Sequence, residues 1–484
     1  MAYASGLRIA EDAGVRSNLN EALHSAAAPP LAALFASSAL DPADARLRLG
    51  VGATLDDAGR GAEALEEWVG AVRLRHAALA AAASRAAFDA RDAAVAARPS
   101  FRRRGKLVIA IFCDEYGQTW WPDWGPRSLE RGGLGGSEEA AVFASRGLAA
   151  LGHGVEVYNE SPDADLGPDA HGVRWLRHAT YDDASAPDVF VAWRYHVSAL
   201  VVDPGSPAKV YVWLQDVPGY ESWTPTFVQG LAGVFVLSDF HARTLPDHAR
   251  PKAFVTPNGI DPAFLVDGEN RWDRFAYGSA PNRGLYDVLK VWPRVREAIP
   301  SATLVVYYGF SPAFVKWGAR NVPDFDGWRA KVEELLEQPG VEYAGMVSHE
   351  TLARGYGRAG FTLYPTTYPE TGCVSIMKAM ALGAIPVTSR FRGSVVPELT
   401  VEFDLGPAAP RAADSAAGIV LDRHRAPGAV DEGWRAAFAD AAIDAARAAR
   451  NGSLDGHRRS MVAYARDRFL WGRVAAKMES HFLT

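Results

Sequence analysis

Glu370 is the acid on which most chemistry could turn. It sits in the segment YPTTYPETGCVSIMKAMALGAIPVTS, Tyr364–Ser389. Phe361–Tyr364 reads as a short buried strand, ended by Pro365 and Pro369. Val374–Leu382 reads as a helix stopped by Gly383, and Ile385–Thr388 as the next strand. A strand feeding a helix N-terminus is where α/β proteins take anions and sugars, because the first turn leaves N–H groups unpaired and the dipole favours negative charge. A carboxylate there can accept hydrogen bonds from sugar hydroxyls. The other reading of Glu370 is a helix-start acid that only improves capping. Thr371, Gly372, Cys373 and Val374 carry the chain into the helix as candidate ligand contacts, and Lys378 follows on it.

Three other places bear similar chemistry. Gly132–Glu138, GGLGGSE, brings Gly133, Gly135 and Gly136 between a strand and a helix, with Ser137 as the expected N-cap. The alternative is a merely flexible loop. Glu138 and Glu139 are expected to be helix-start acids. Arg283, in the loop GSAPNRG, stands at the C-terminal edge of a strand, where open α/β sheets hold ligands, and Lys290 follows one helical span later. Asp216, in Trp213–Asp216, can touch a sugar or acceptor, cap a helix or form a salt bridge.

These groups need a scaffold, and the apolar pattern supplies one. Leu107–Phe112 is a continuous apolar run of strand length, followed by the glycine loop, a helix over Glu138–Leu151 and a strand at Val155–Tyr158. That is a β-loop-α-β unit, implying a parallel sheet. Strands follow at Val189–Ala192, Lys209–Trp213, Gly233–Leu237 and Ala253–Thr256. A second series begins at Arg274–Tyr277 and continues through Thr303–Tyr307, Val341–Tyr343, Phe361–Tyr364 and Ile385–Thr388. Helices intervene at Leu285–Ala298, Asp326–Glu337 and His349–Arg358. Two doubly wound units in tandem, with a cleft between them, follow from this order.

Residues 1–104 are expected to be helical throughout. Val51, Gly52, Leu55, Gly59, Glu63, Ala64, Trp68 and Ala71 fall at tetratricopeptide spacing, with Trp68 between two helices. A single repeat cannot bury its own face, so it must stack on flanking helices or on the next domain. An Ala-rich hairpin without repeat ancestry is the alternative. Arg102–Arg104 reads as a solvated linker charge run.

The 484 residues suffice for two or three domains, and a net charge of −6 gives no reason to expect nucleic acid. The two cysteines, Cys113 and Cys373, have no metal-type spacing, so a reducing, cytoplasmic setting is expected. No signal peptide and no transmembrane segment are expected.

The Glu370 segment resembles the signature of retaining GT-B glycosyltransferases of family 4 (group 1), roughly E-x-F-G-x-x-x-x-E-A-M-A-x-G-x-P-V. Glu370, Gly372, Ala379–Ala381, Gly383 and Pro386–Val387 match; Cys373 replaces a glycine and Lys378 the second acid. Asn258–Asp261, Ser238 with Phe240 and His241, and Arg283–Gly284 fall where that family has its interdomain, preceding and basic segments, although a second basic residue is missing near Ser279. The resemblance implies a GT-B fold. It gives a helical region 1–104, an acceptor-side domain 105–262, a nucleotide-sugar domain 263–450, and helices 451–484 that cross back. It implies a nucleotide-diphosphate sugar as donor, no tightly bound cofactor, no obligatory metal, and a glycan, lipid or protein acceptor. Glu370 would position the sugar, Arg283 and the glycine loop would stabilise the diphosphate, and Met346 would face the base. Lys378 cannot accept the ribose hydroxyl bonds that the replaced acid takes in the family. Gln215 stands where relatives often have histidine. A catalytically degenerate scaffold, with 1–104 as a partner surface, and an O-GlcNAc-transferase-like protein modifier remain as alternatives.

Overall fold

The computed structural model describes residues 61–115, 121, 123–131, 134–217, 223–407 and 432–484. Two sheets dominate it. The first joins β1 (Val108–Phe112), β2 (Gly154–Asn159), β3 (Gly167–Pro168), β4 (Arg174–Arg177), β5 (Val189–Trp193), β6 (Lys209–Trp213), β7 (Gly233–Val236) and β8 (Ala253–Val255) in the order β3-β4-β2-β1-β5-β6-β7-β8. All its neighbours pair in parallel except β3 with β4. The second joins β9 (Arg271–Ser279), β10 (Thr303–Tyr308), β11 (Val341–Gly345), β12 (Ala359–Tyr364) and β13 (Ile385–Thr388), all parallel, in the order β11-β10-β9-β12-β13. Every residue of β1, β2, β5 and β12 is buried, as expected for parallel strands covered on both faces.

Strand order fixes where ligands can go. In the first sheet the winding reverses between β1 and β5, and in the second between β9 and β12. The crevice outside the C-terminal strand ends at such a reversal is the binding place of open α/β sheets.

The units are tied by two crossing segments. Ile260 N–H donates to the Phe469 carbonyl, Trp471 N–H donates to the Ile260 carbonyl, and Ile260 and Leu470 form a parallel bridge. The helix Asp455–Arg468 buries Met461 and Ala465 in the second core, whereas Trp471, Val474, Met478 and Phe482 of the helix Trp471–Leu483 are buried in the first. Gln215 and Asn258 exchange side-chain amide bonds beside this crossing, which gives Gln215 a structural partner.

The N-terminal helices Gly61–Ala81 and Arg85–Arg103 lie on the first sheet. Trp68, expected between two helices, is buried in a cluster that holds Val72, Ala94 of the second helix, and Phe112, Tyr158 and Phe190 of the sheet. Residues 51–60 of the repeat-like pattern lie outside the described residues. Arg98 makes a buried bidentate pair with Glu156 of β2, at 2.9 and 2.7 Å. Arg102 and Arg103 are the last helical turn rather than a linker, because Arg102 binds Asp188 and the Ala186 carbonyl. Ser137 does not cap its helix: Gly135 is the N-cap, and the helix Gly136–Ala150 starts with no side-chain cap. Also unforeseen were β3, β4 and the helices Pro225–Gly230 and Pro312–Asn321, whereas Ser238 caps the helix Asp239–Thr244 by accepting from the His241 N–H. Among the described residues no helix is long and apolar enough to cross a membrane.

Gly147 marks where the last helix seats. A Cβ there would fall 2.7 Å from the Ala475 Cβ and 3.4 Å from the Trp471 carbonyl oxygen. Gly147→Ala is therefore expected to cost about 1–3 kcal/mol in urea unfolding. Adding Ala475→Gly should recover much of that loss; unchanged stability of the single variant would contradict this packing.

Candidate active site

Glu370 and Arg283 meet at the β9/β12 reversal. Arg283 lies in the turn after β9 and Glu370 in the turn after β12. Arg283 Nε contacts Glu370 Oε1 at 2.8 Å, and the side chains keep 18% and 16% exposure. Tyr364 Oη donates to the same oxygen at 2.7 Å and lies 3.3 Å from Ser279 Oγ. The Arg283 guanidinium stacks over the Tyr368 ring, 3.1 Å from its centroid. Burial opposes its charge, but Tyr368 and Glu370 outweigh burial and push its pKa up. Arg283 Nη1 is buried without a hydrogen-bond partner among the described residues.

Open helix starts surround this pair. Neither the helix Val374–Ala381, with Cys373 as N-cap, nor the helix Leu285–Ala298, with Gly284 as N-cap, has a side-chain cap. Gly284 has φ 101°, and a Cβ there would sit 2.7 Å from the Pro365 carbonyl oxygen, so glycine is required. The uncapped start at Gly136 faces the same place from the first unit, since a Cβ on Gly136 would lie 3.4 Å from Val374 Cγ2. N–H groups without side-chain acceptors and a partly unpaired guanidinium form an anion-binding corner.

A second cluster occupies the β1/β5 reversal. Arg194, just past β5 and in the left-handed region at φ 64°, contacts Asp216 Oδ2 at 2.9 Å, Glu138 Oε1 at 3.0 Å and Glu115 Oε1 at 3.5 Å. Asp216 is half exposed, whereas Glu115 and Glu138 are buried. Burial first, then Glu138, push the Glu115 pKa up to about 8 despite Arg194. Burial also raises that of Glu138, with Arg194 opposing. Burial works against the Arg194 charge, but Asp216 and Glu138 outweigh it. His241 Nδ1 accepts from the Leu237 N–H, so Nε2 donates to the Asp216 carbonyl, 3.0 Å away, and burial pulls the His241 pKa down to about 4.

The units touch across the cleft. Ser238 Oγ donates to the Thr371 carbonyl at 2.9 Å, and Thr371 Oγ1 donates to the Gln215 carbonyl at 2.7 Å. Lys378 Nζ donates to Glu139 Oε2 at 2.7 Å, and His349 Nε2 lies 3.6 Å from that oxygen. His349 packs edge-on to Phe264, and burial lowers its pKa. Of the sequence-derived candidates, Glu370, Arg283, Thr371, Gly372, Cys373, Val374, Lys378, Gly135, Gly136 and Ser137 gather along this cleft. Asp216 stands on its first-unit wall. Lys290 is exposed further along its helix, and Met346 is 39% exposed after β11. Gly133 lies outside the described residues.

Glu115, Arg194 and the separate roles of Glu138 and Glu139 escaped sequence reasoning. Their signal was position: Arg194 directly follows β5, and Glu115 lies three residues past the end of β1. A groove of 630 Å³ lined by Arg98, Asp188, Lys209 and Phe482 lies instead at the N-terminal ends of β5 and β6, away from these groups. Among the described residues no group of three or more His, Cys, Asp or Glu could hold a metal ion.

No protein-family model matches the chain, and no curated protein does. Solved structures share its architecture. HepE of Anabaena in complex with UDP is 12% identical, with 77% of this chain and 98% of that one covered and a TM-score of 0.54. The same protein with UDP-glucose gives 13% identity, the same coverage and a TM-score of 0.52. A glycosyltransferase of Rickettsia africae ESF-5 is 12% identical over 78% of this chain and 98% of that one, with a TM-score of 0.52. The fold is GT-B. At these identities the likeness concerns the fold alone.

The Glu115 carboxyl gives a pH test. Its pKa is raised from 4.5 to about 8 in the folded chain. The stability tied to its protonated form is complete below the unfolded value and is lost as pH rises through the folded one. Between about pH 5 and about pH 9 the unfolding free energy should fall by on the order of 3 kcal/mol more in the wild type than in Glu115→Gln. Parallel urea profiles for the two proteins would contradict this assignment.

Proposed function

We propose that the protein transfers a sugar from a nucleotide-diphosphate donor to an acceptor in the cleft, with retention of anomeric configuration. The observation that carries this reading is the Arg283–Glu370 pair at the β9/β12 reversal, surrounded by uncapped helix starts. As the bond from the sugar to the diphosphate loosens, negative charge grows on the leaving phosphate. Arg283 and the N–H groups of the helices starting at Val374 and Gly136 would stabilise it. Glu370, held by Arg283 and Tyr364, would accept hydrogen bonds from sugar hydroxyls. Asp216, held by Arg194, would meet the acceptor. Closure of the units on the bound donor would exclude water and limit its hydrolysis.

The donor is a substrate rather than a tightly bound cofactor. HepE was solved with UDP and UDP-glucose, which makes uridine the first base to try. The acceptor belongs to the glycan, lipid or protein class. The division at 104, 262 and 450 and the partner surface in 1–104 belong to the same proposal. Cys113 and Cys373 are free and buried, which accords with a reducing, cytoplasmic setting. A catalytically inert binding protein is a second reading, favoured by one observation: Arg283 and Lys378 are both already paired with carboxylates.

Release of UDP from UDP-glucose, with and without candidate acceptors, separates the two. Glu370→Gln should retain the melting profile and lower turnover about 10²-fold, because a charged acceptor at the reacting sugar is gone. Wild-type turnover in that variant would remove Glu370 from the mechanism.

A further inference from the structure

The helix Gly136–Ala150 opens on two acids that face opposite ways. Glu138 turns to Arg194 in its own unit. Glu139 turns across the cleft to Lys378, on the helix that follows the Glu370 turn. The pair is closed off from water, with 4% exposure left to Glu139 and 5% to Lys378. Lys378 is held from a second side by the Phe264 ring, 4.8 Å from Nζ.

Only one carboxylate oxygen is used in this way. Glu139 Oε2 takes Lys378, with His349 nearby, while Oε1 is buried and has no hydrogen-bond partner among the described residues. A buried carboxylate oxygen without a donor is costly, so native structures rarely leave one unless something else binds there. The oxygen belongs to a group that reaches between the units, beside the Gly136–Val374 approach. Its chemistry restricts the missing partner. An ionised carboxylate only accepts, so a phosphate oxygen is refused. Lys378 already balances its charge, so no cation is called for. A neutral hydroxyl fits both conditions.

We propose that Glu139 selects the donor: its Oε1 accepts a hydrogen bond from one hydroxyl of the nucleotide sugar, and Lys378 is the positioning residue that aims it. This rests on the nucleotide-sugar reading. It makes donor recognition a joint act of both units, since the accepting oxygen comes from the first and its orienting cation from the second. An open cleft would therefore lack the assembled contact.

The test is a set of titrations. UDP-glucose, ADP-glucose and GDP-mannose are first titrated against the wild type. The donor that binds is then compared with its deoxy forms, each lacking one ribose or sugar hydroxyl. One deoxy form should bind the wild type about tenfold more weakly than its parent. Glu139→Ala/Lys378→Met, which removes both charges together and so avoids stranding either, should bind that form and the parent within about twofold of each other. Lys378→Met alone should lose the same discrimination, and Lys378→Arg should restore it. Melting curves check that each variant is folded. Equal deoxy penalties in the wild type and the double variant would overturn the proposal and leave the pair as a closure contact. A wild type that binds none of the three donors would instead end the nucleotide-sugar reading, and this inference with it.

Discussion

The cleft depends on one constraint: two parallel sheets must present their C-terminal strand edges to each other at a fixed distance. Main-chain bonds between Ile260 and the Phe469–Trp471 segment impose it. They clamp the outgoing and returning crossings together, and the return delivers Trp471 and Val474 into the first core. Gly259 shows how tight that clamp is, since a Cβ there would lie 2.7 Å from Trp471 Cδ2. With the crossings fixed, the β1/β5 and β9/β12 reversals face the same space.

The groups at those reversals form a graded electrostatic field. On the second unit a single carboxylate, Glu370, is matched by Arg283 and a tyrosine hydroxyl, next to open helix starts. On the first unit three carboxylates share one guanidinium, so burial and mutual repulsion hold Glu115 protonated up to about pH 8. An anion is favoured on one wall and hydroxyl donors on the other. That asymmetry suits a diphosphate and a sugar lying across the gap. Lys378 and Glu139 join the walls in the middle.

Much of this was legible in the sequence, and the reason is physical. Fully buried parallel strands must be continuous apolar runs, so Ile385–Thr388 was read with its observed bounds, as were the partly buried strand Lys209–Trp213 and the helix His349–Arg358. Arg283 and Glu370 could be placed because turns after such strands are where ligands bind. Short elements carry too little periodicity: β4 and the six-residue helix Pro225–Gly230 owe their form to tertiary packing and a Thr224 cap. Ser137 looked like a cap by type, but the N-cap position falls two residues earlier, on Gly135. Pairings across the cleft could not be read at all. Lys378 and Glu139 are 239 residues apart in the chain, and only the folded arrangement makes them partners. The same holds for Arg194, an unremarkable basic residue until Asp216, Glu138 and Glu115 close on it.

The most direct measurement of the central claim is the thermal midpoint of the purified protein with UDP, GDP, ADP and TDP at millimolar concentration. A ligand that binds only the folded state must raise that midpoint. The account predicts a clear rise with one of the four, because Arg283 and the uncapped helix starts form an anion corner that a diphosphate fills. No rise with any of them would contradict it and would leave a GT-B scaffold whose cleft serves some other ligand.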